Sequence, residues 1–105
     1  MISERILFEI KKYAKSKDTE ESCGIIYQKG EELSFLKCEN LSKNKSVHFE
    51  IDPRYLVEYN VFYIYHSHVN ASAKPSIFDI KMYDQILIPF LIYSLRDDGF
   101  YIYKK

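Results

Sequence analysis

Val61-Phe62-Tyr63-Ile64-Tyr65 is β-branched or aromatic at every position, and no feature of the chain constrains its fold more. A run of this kind reads as a central strand covered on both faces, and such a strand belongs to a sheet with helices packed against it. The flanking sequence supplies those partners. Ser3 can cap a helix running to about Lys15, where Ile6, Leu7, Ile10, Tyr13 and Ala14 recur on one face. Ser22 to Gln28 and Leu33 to Cys38 read as an antiparallel pair around a turn at Lys29-Gly30-Glu31. Asn40 to Ser46 reads as polar loop, Val47 to Ile51 as a short strand, and Asp52-Pro53 as the start of a brief helix through Tyr59. After the central strand, Val69 to Pro75 must be loop. Ser76 then opens a helix with Ile77, Ile80, Tyr83, Ile86 and Leu87 as its apolar face, which Pro89 ends. Phe90 to Leu95 and Phe100 to Tyr103 close the pattern as strands around Asp97-Asp98-Gly99. The expectation is an α/β fold, a single mixed β-sheet flanked by helices, with residues 1–105 forming one domain because no linker or repeat divides them.

Charge and composition exclude several partners. Fifteen basic residues balance fifteen acidic ones and are scattered along the chain, which argues against nucleic acid. No apolar stretch reaches the length needed to cross a bilayer, and no leader precedes the first helix, so an intracellular, cytoplasmic protein is expected. Cys23 and Cys38 lack the CxxC spacing of a structural metal knuckle and are expected as buried thiols, although a bridge between neighbouring strands is geometrically open. Most of the ten tyrosines and seven phenylalanines should serve strands and core.

Chemistry concentrates where the central strand ends. Of the three histidines in the chain, His66 and His68 sit two apart at the strand exit, so both imidazoles face the same side and can reach one ion. Asp79, at the start of the following helix, can fold back to the same point. Three ligands of this kind suit a hydrolytic zinc, which keeps a fourth position for water. A water activated in this way also needs a group to take its proton, and Glu21 at the start of the first strand is the candidate. His48 lies in an alternating stretch and is expected to be structural.

At these residues the chain resembles the JAMM/MPN-type (JAB domain) zinc metalloproteases. His66, His68, Ser76 and Asp79 match the HxH, seven residues, SxxD half of that family's signature, and Glu21-Ser22-Cys23-Gly24 resembles its E-x-C-G strand. The order of elements agrees along nearly the whole length. The resemblance implies an MPN, cytidine-deaminase-like architecture, Zn2+ held by His66, His68 and Asp79, Glu21 rather than Glu20 as general base, and Ser76 as donor to the oxyanion. It implies hydrolysis of a peptide or isopeptide bond. The expected partner is a peptide, a ubiquitin-like protein or a cell-wall peptide, with a further protein supplying specificity.

The chain also departs from the pattern. Val69 stands where a proline often follows the second histidine, and only 26 residues follow Asp79, leaving no room for the insertion that grips ubiquitin chains. It is therefore more similar to compact prokaryotic and phage members, including the domain of phage tail-assembly peptidases, which would associate it with a virion if phage-encoded. Blander readings stand beside these: Ser76 and Asp79 as a helix cap, Glu21 as a solvated strand residue, and the whole domain as a non-catalytic MPN-like scaffold.

Overall fold

The computed structural model describes residues 2–105. The central run becomes β3 (Val61–His68), which extends through both histidines. β1 (Cys23–Lys29) and β2 (Glu32–Cys38) lie on one side of it, β4 (Phe90–Ser94) and β5 (Gly99–Tyr103) on the other, in the order β2-β1-β3-β4-β5. Among the described residues only the β3–β4 pair is parallel. Such a pair needs a crossover, and α3 (Ile77–Ile86) provides it.

Helices cover both faces, as expected. α1 (Glu4–Ser16) starts at Ser3, whose hydroxyl accepts from the Ile6 amide at 3.2 Å, and buries Ile6, Ile10 and Ala14 at helical spacing. These residues pack with Ile26, Tyr65, Leu91 and Tyr93 on one face of the sheet. The other face gathers Cys23, Ile25, Ile64, Phe90 and Ile92 under Tyr83 of α3, with Tyr55 and Leu56 of the short α2 (Arg54–Glu58) packed alongside. Alternate residues of the same strands therefore supply two separate cores. Gly30, at φ +64°, makes the tight β1–β2 turn.

Three expectations fail. Val47 to Ile51 is not a strand: its amides are taken locally, Val47 and His48 by the Asn44 carbonyl at 3.2 and 3.0 Å and Glu50 by the Asn40 side chain at 3.2 Å. The alternation that suggested a strand arises because Phe49 is buried against the rings of His66 and Phe90 and Ile51 is half-buried against the same core, without a partner strand. On α3, Ile77 and Leu87 are exposed rather than apolar-face residues, and Met82 packs inward with Tyr83 and Ile86. The helix also stops at Ile86, ahead of Pro89, because Leu87 adopts a left-handed conformation at φ 63°. Cys23 and Cys38 are buried free thiols. Among the described residues, no helix is long and apolar enough to cross a membrane.

Candidate metal centre

Strand register decides which residues can meet. Cys23 pairs with His66 in the antiparallel β1–β3 ladder, and the ladder continues past the end of β1 through the Ser67 amide, which donates to the Ser22 carbonyl at 2.9 Å. Continued by two positions, that register sets Glu21 opposite His68. Glu21, Cys23, His66 and His68 consequently share the α3 side of the sheet. Ser22 and Ser67 turn to the α1 side, where Ser67 Oγ accepts from the Ser22 amide at 2.8 Å and the Ser22 and Tyr65 hydroxyls bond at 2.6 Å. This buried hydroxyl cluster locks the two strand ends together. Gly24 is the permissive residue of the stretch, because a Cβ there would collide with the Leu36 carbonyl oxygen of β2.

The carboxylate arrives from α3. Ser76 is its N-cap: the hydroxyl accepts from the Asp79 amide at 3.1 Å, while the Ser76 amide donates to Asp79 Oδ2 at 2.9 Å. This capping box points both Asp79 oxygens at the histidines. His68 Nε2 lies 3.0 Å from Oδ2 and His66 Nε2 lies 3.1 Å from Oδ1. The ligand-capable atoms of His66, His68 and Asp79 fall within 4.8 Å of one another. Tetrahedral ligands about 2.0–2.1 Å from a zinc ion stand roughly 3.3 Å apart, so the group is close to the size such an ion requires.

Hydrogen bonding shows what the group lacks. His68 Nδ1 faces the Ser72 carbonyl at 2.7 Å; donating there leaves the Nε2 lone pair facing the carboxylate. His66 is fully buried, stacked on Phe49 at 4.2 Å, and neither ring nitrogen makes an aligned hydrogen bond despite the proximity of Asp79. A buried imidazole without a partner is costly, and a cation between it, His68 and Asp79 would satisfy all three. The site residues therefore fit a metal ion.

Burial and charge set the protonation of each group. Burial pulls the His66 imidazole below its ordinary value, with Asp79 opposing only in part. In His68 burial is outweighed by the bonds to Asp79 and Ser72 and by the Asp79 and Glu21 charges, so its value rises. Burial opposes ionisation of Asp79 too, yet the two imidazoles and the Ser76 amide hold it far below the usual carboxylate range. Glu21 is pushed up to about 8, chiefly by burial, with His68 lowering it and Asp79 raising it. It stands beside the three-residue group as a buried carboxyl that can exchange a proton near neutrality.

A cavity of about 590 Å³ adjoins the group, sharing Asp79 and walled by Val47, Phe49, Ile51, Leu56, Phe78 and Met82. Its rim carries His48, half-buried with its ring edge-on to Phe78 at 4.2 Å. One wall is the irregular 41–51 segment, which Asn40 holds in place. That residue lies inside a stretch which composition marks only as polar loop, and no sequence signal distinguishes it. Ser72 and Phe49, which orient the two imidazoles, were likewise unmarked. Tyr59, Tyr63 and Tyr65 serve the cores rather than the site.

Fold and site together define an α/β domain with a buried His-His-Asp group able to hold a metal ion. The model for prokaryotic homologues of the JAB domain matches residues 3–102, and the chain belongs to that family. A protein from Desulfitobacterium hafniense, solved in solution, has a similar fold at a TM-score of 0.67 and 20% identity, covering 97% of this chain and 88% of that one. The crystal structure of a JAB1/MPN domain protein from Archaeoglobus fulgidus gives 0.62 and 20%, covering 94% and 83%. Tail tip assembly protein K of Escherichia phage N15 is 33% identical over 86 residues, which take in 78% of this chain and 35% of that protein. The chain thus spans about a third of the length of this curated relative.

Proposed function

We propose that this domain is a zinc-dependent peptidase or isopeptidase in which Glu21 is the general base. The observation that carries the reading is the pairing of a buried His66–His68–Asp79 group with a neighbouring carboxyl whose burial raises it to about 8. His66 and His68 through Nε2, together with Asp79, would hold the ion. When bound, zinc supplies Lewis acidity, making a water acidic near neutrality and polarising a carbonyl. Glu21 takes the proton of the attacking water and returns it to the departing amine. Ser76 keeps its cap throughout: its oxygen accepts from the Asp79 amide, which leaves its hydroxyl proton free to donate to the oxyanion. The substrate is an extended peptide, ubiquitin-like tail or cell-wall peptide, with an apolar side chain seated in the cavity that shares Asp79. The match to a tail tip assembly protein favours a role in phage particle assembly, with a further protein conferring specificity.

The test is a zinc-dependent cleavage screen over these three substrate classes with Glu21→Gln and Ser76→Ala beside the parent. Glu21→Gln should retain one zinc and lose about 10²–10⁴-fold in turnover. Ser76→Ala should lose about 10²–10³-fold. Equal turnover in Glu21→Gln removes the mechanism, and parent-like turnover in Ser76→Ala removes the oxyanion role. A protein that takes up no zinc on titration is instead a non-catalytic scaffold.

A further inference from the structure

Asn40 follows β2 and is 4% exposed, yet every hydrogen-bonding position of its carboxamide is filled. Nδ2 donates to the carbonyls of Glu21 and His48, both at 2.9 Å. Oδ1 accepts from the amides of Ser42 at 2.9 Å and Glu50 at 3.2 Å. In the β1–β2 ladder Cys23 pairs with Cys38, and the same register continued by two positions sets Asn40 opposite Glu21. The ladder has ended there, and the side-chain amide takes the place of a ladder bond. The Glu21 amide is held by the same segment, donating to the Lys45 carbonyl at 2.7 Å. Both backbone polar groups of Glu21 therefore depend on residues 40–50. Between the tethered His48 and Glu50, Phe49 stacks on the His66 ring.

We propose that Asn40 is the positioning residue of Glu21, fixing in one carboxamide the backbone that carries this carboxyl and the segment that walls the adjoining cavity. The inference rests on Glu21 being the general base. A carboxyl displaced by an ångström from its proton loses most of its rate advantage, so a clamp at its own carbonyl controls turnover without touching substrate.

Asn40→Asp separates the two halves of the clamp. It keeps an oxygen for the Ser42 and Glu50 amides and removes both donors, whereas Asn40→Ala removes all four bonds. Ile10→Ala, in the α1 core on the far face of the sheet, serves as a control for general destabilisation. Three quantities are read well below each variant's melting temperature: kcat and KM of zinc-loaded protein, zinc affinity by chelator competition, and amide hydrogen exchange at residues 21, 42 and 50 without zinc. In Asn40→Asp, kcat should fall about 10- to 100-fold with KM changed less than threefold and zinc affinity retained. The Glu21 amide, whose own acceptor is the Lys45 carbonyl, should exchange faster because the strand end loosens once its carbonyl loses the Asn40 donor, while the amides of Ser42 and Glu50 stay protected. If Asn40→Ala does not fold, the Asp variant decides alone. Parent-like kcat in Asn40→Asp beside an inactive Glu21→Gln overturns the clamp, as does an equal kcat loss in Ile10→Ala. An active Glu21→Gln overturns the base reading and this inference with it, and is told apart by that variant alone.

Discussion

The two faces of the sheet are built from the same strands and do opposite work. On the α1 face, Ile10, Ala14, Ile26, Tyr65 and Tyr93 form a continuous core, and its polar atoms at Ser22, Ser67 and Tyr65 are satisfied by one another. On the α3 face, the neighbouring positions of β3 carry His66, whose nitrogens have no aligned partner, and His68, whose carboxylate contact is shared with a helix cap. A single residue step along the strand thus crosses from closed packing to an open valence. The lesson is a division of labour: the first face fixes strand ends rigidly enough for the second to keep a costly, incompletely satisfied cluster.

That division is open to attack from both sides. The largest effect should follow Asp79→Ala, which removes one of the three proposed ligands; zinc binding and zinc-dependent cleavage should both vanish. In the parent, zinc at a hundred times its dissociation constant should stabilise the fold by about 2.7 kcal/mol, read as a rise in melting temperature, and this rise should be absent in the variant. A zinc-independent melting temperature in the parent would show that the α3 face holds no zinc. At the other end, Ile10→Ala leaves a cavity under the sheet and should cost about 2–5 kcal/mol in denaturant unfolding. Its kcat, measured on folded protein in the cold, should stay within about twofold of the parent. A matching collapse of kcat would show that the faces are not separable.

The sequence disclosed the two faces unequally. α1 was legible because Ile6, Ile10 and Ala14 repeat locally, and β3 because its apolar run needs no partner to be recognised. His66, His68, Ser76 and Asp79 were legible as a spacing, and the structure draws three of them into one group. In the sequence the cap and the cluster were compatible, short of a full cap from a ligating aspartate, and Asp79 divides its oxygens accordingly: Oδ2 accepts from the Ser76 amide while facing His68, and Oδ1 remains for His66. Glu21 could be nominated, but its place opposite His68 depends on strand register, a non-local property. Asn40 was illegible for the same reason carried further. Its partners lie as far as 19 positions away, and its local composition is that of any polar loop. Val47 to Ile51 misled in the opposite sense, since Phe49 is buried by the His66 ring and not by a paired strand.

The smallest effect concerns two residues that lie on the chemical face without sharing its chemistry. Cys23 pairs with His66 across the ladder, so proximity alone would nominate it as a fourth ligand. Burial, reinforced by the nearby Cys38, Glu21 and Glu20 groups, pushes its thiol up to about 12, and burial pushes Cys38 to about 11 against a bond to the Ile25 backbone. The ligand-capable atoms that converge are those of His66, His68 and Asp79, and the Cys23 thiol is not among them. Each unit of upward shift cuts the thiolate tenfold, so at pH 8 both thiols should react with iodoacetamide at least about 100-fold more slowly than a free cysteine, with or without zinc. The sign of the linkage follows: both thiols bind their protons more tightly folded than unfolded, so their contribution to stability is complete below about pH 9 and is lost as the pH rises through about 11 for Cys38 and about 12 for Cys23. Fast alkylation of Cys23 that zinc suppresses would instead make it a ligand and turn a water-bearing centre into a closed, four-ligand one. Slow alkylation indifferent to zinc keeps Cys23 out of the ligand set and leaves a fourth position open for the water whose proton the proposed mechanism gives to Glu21.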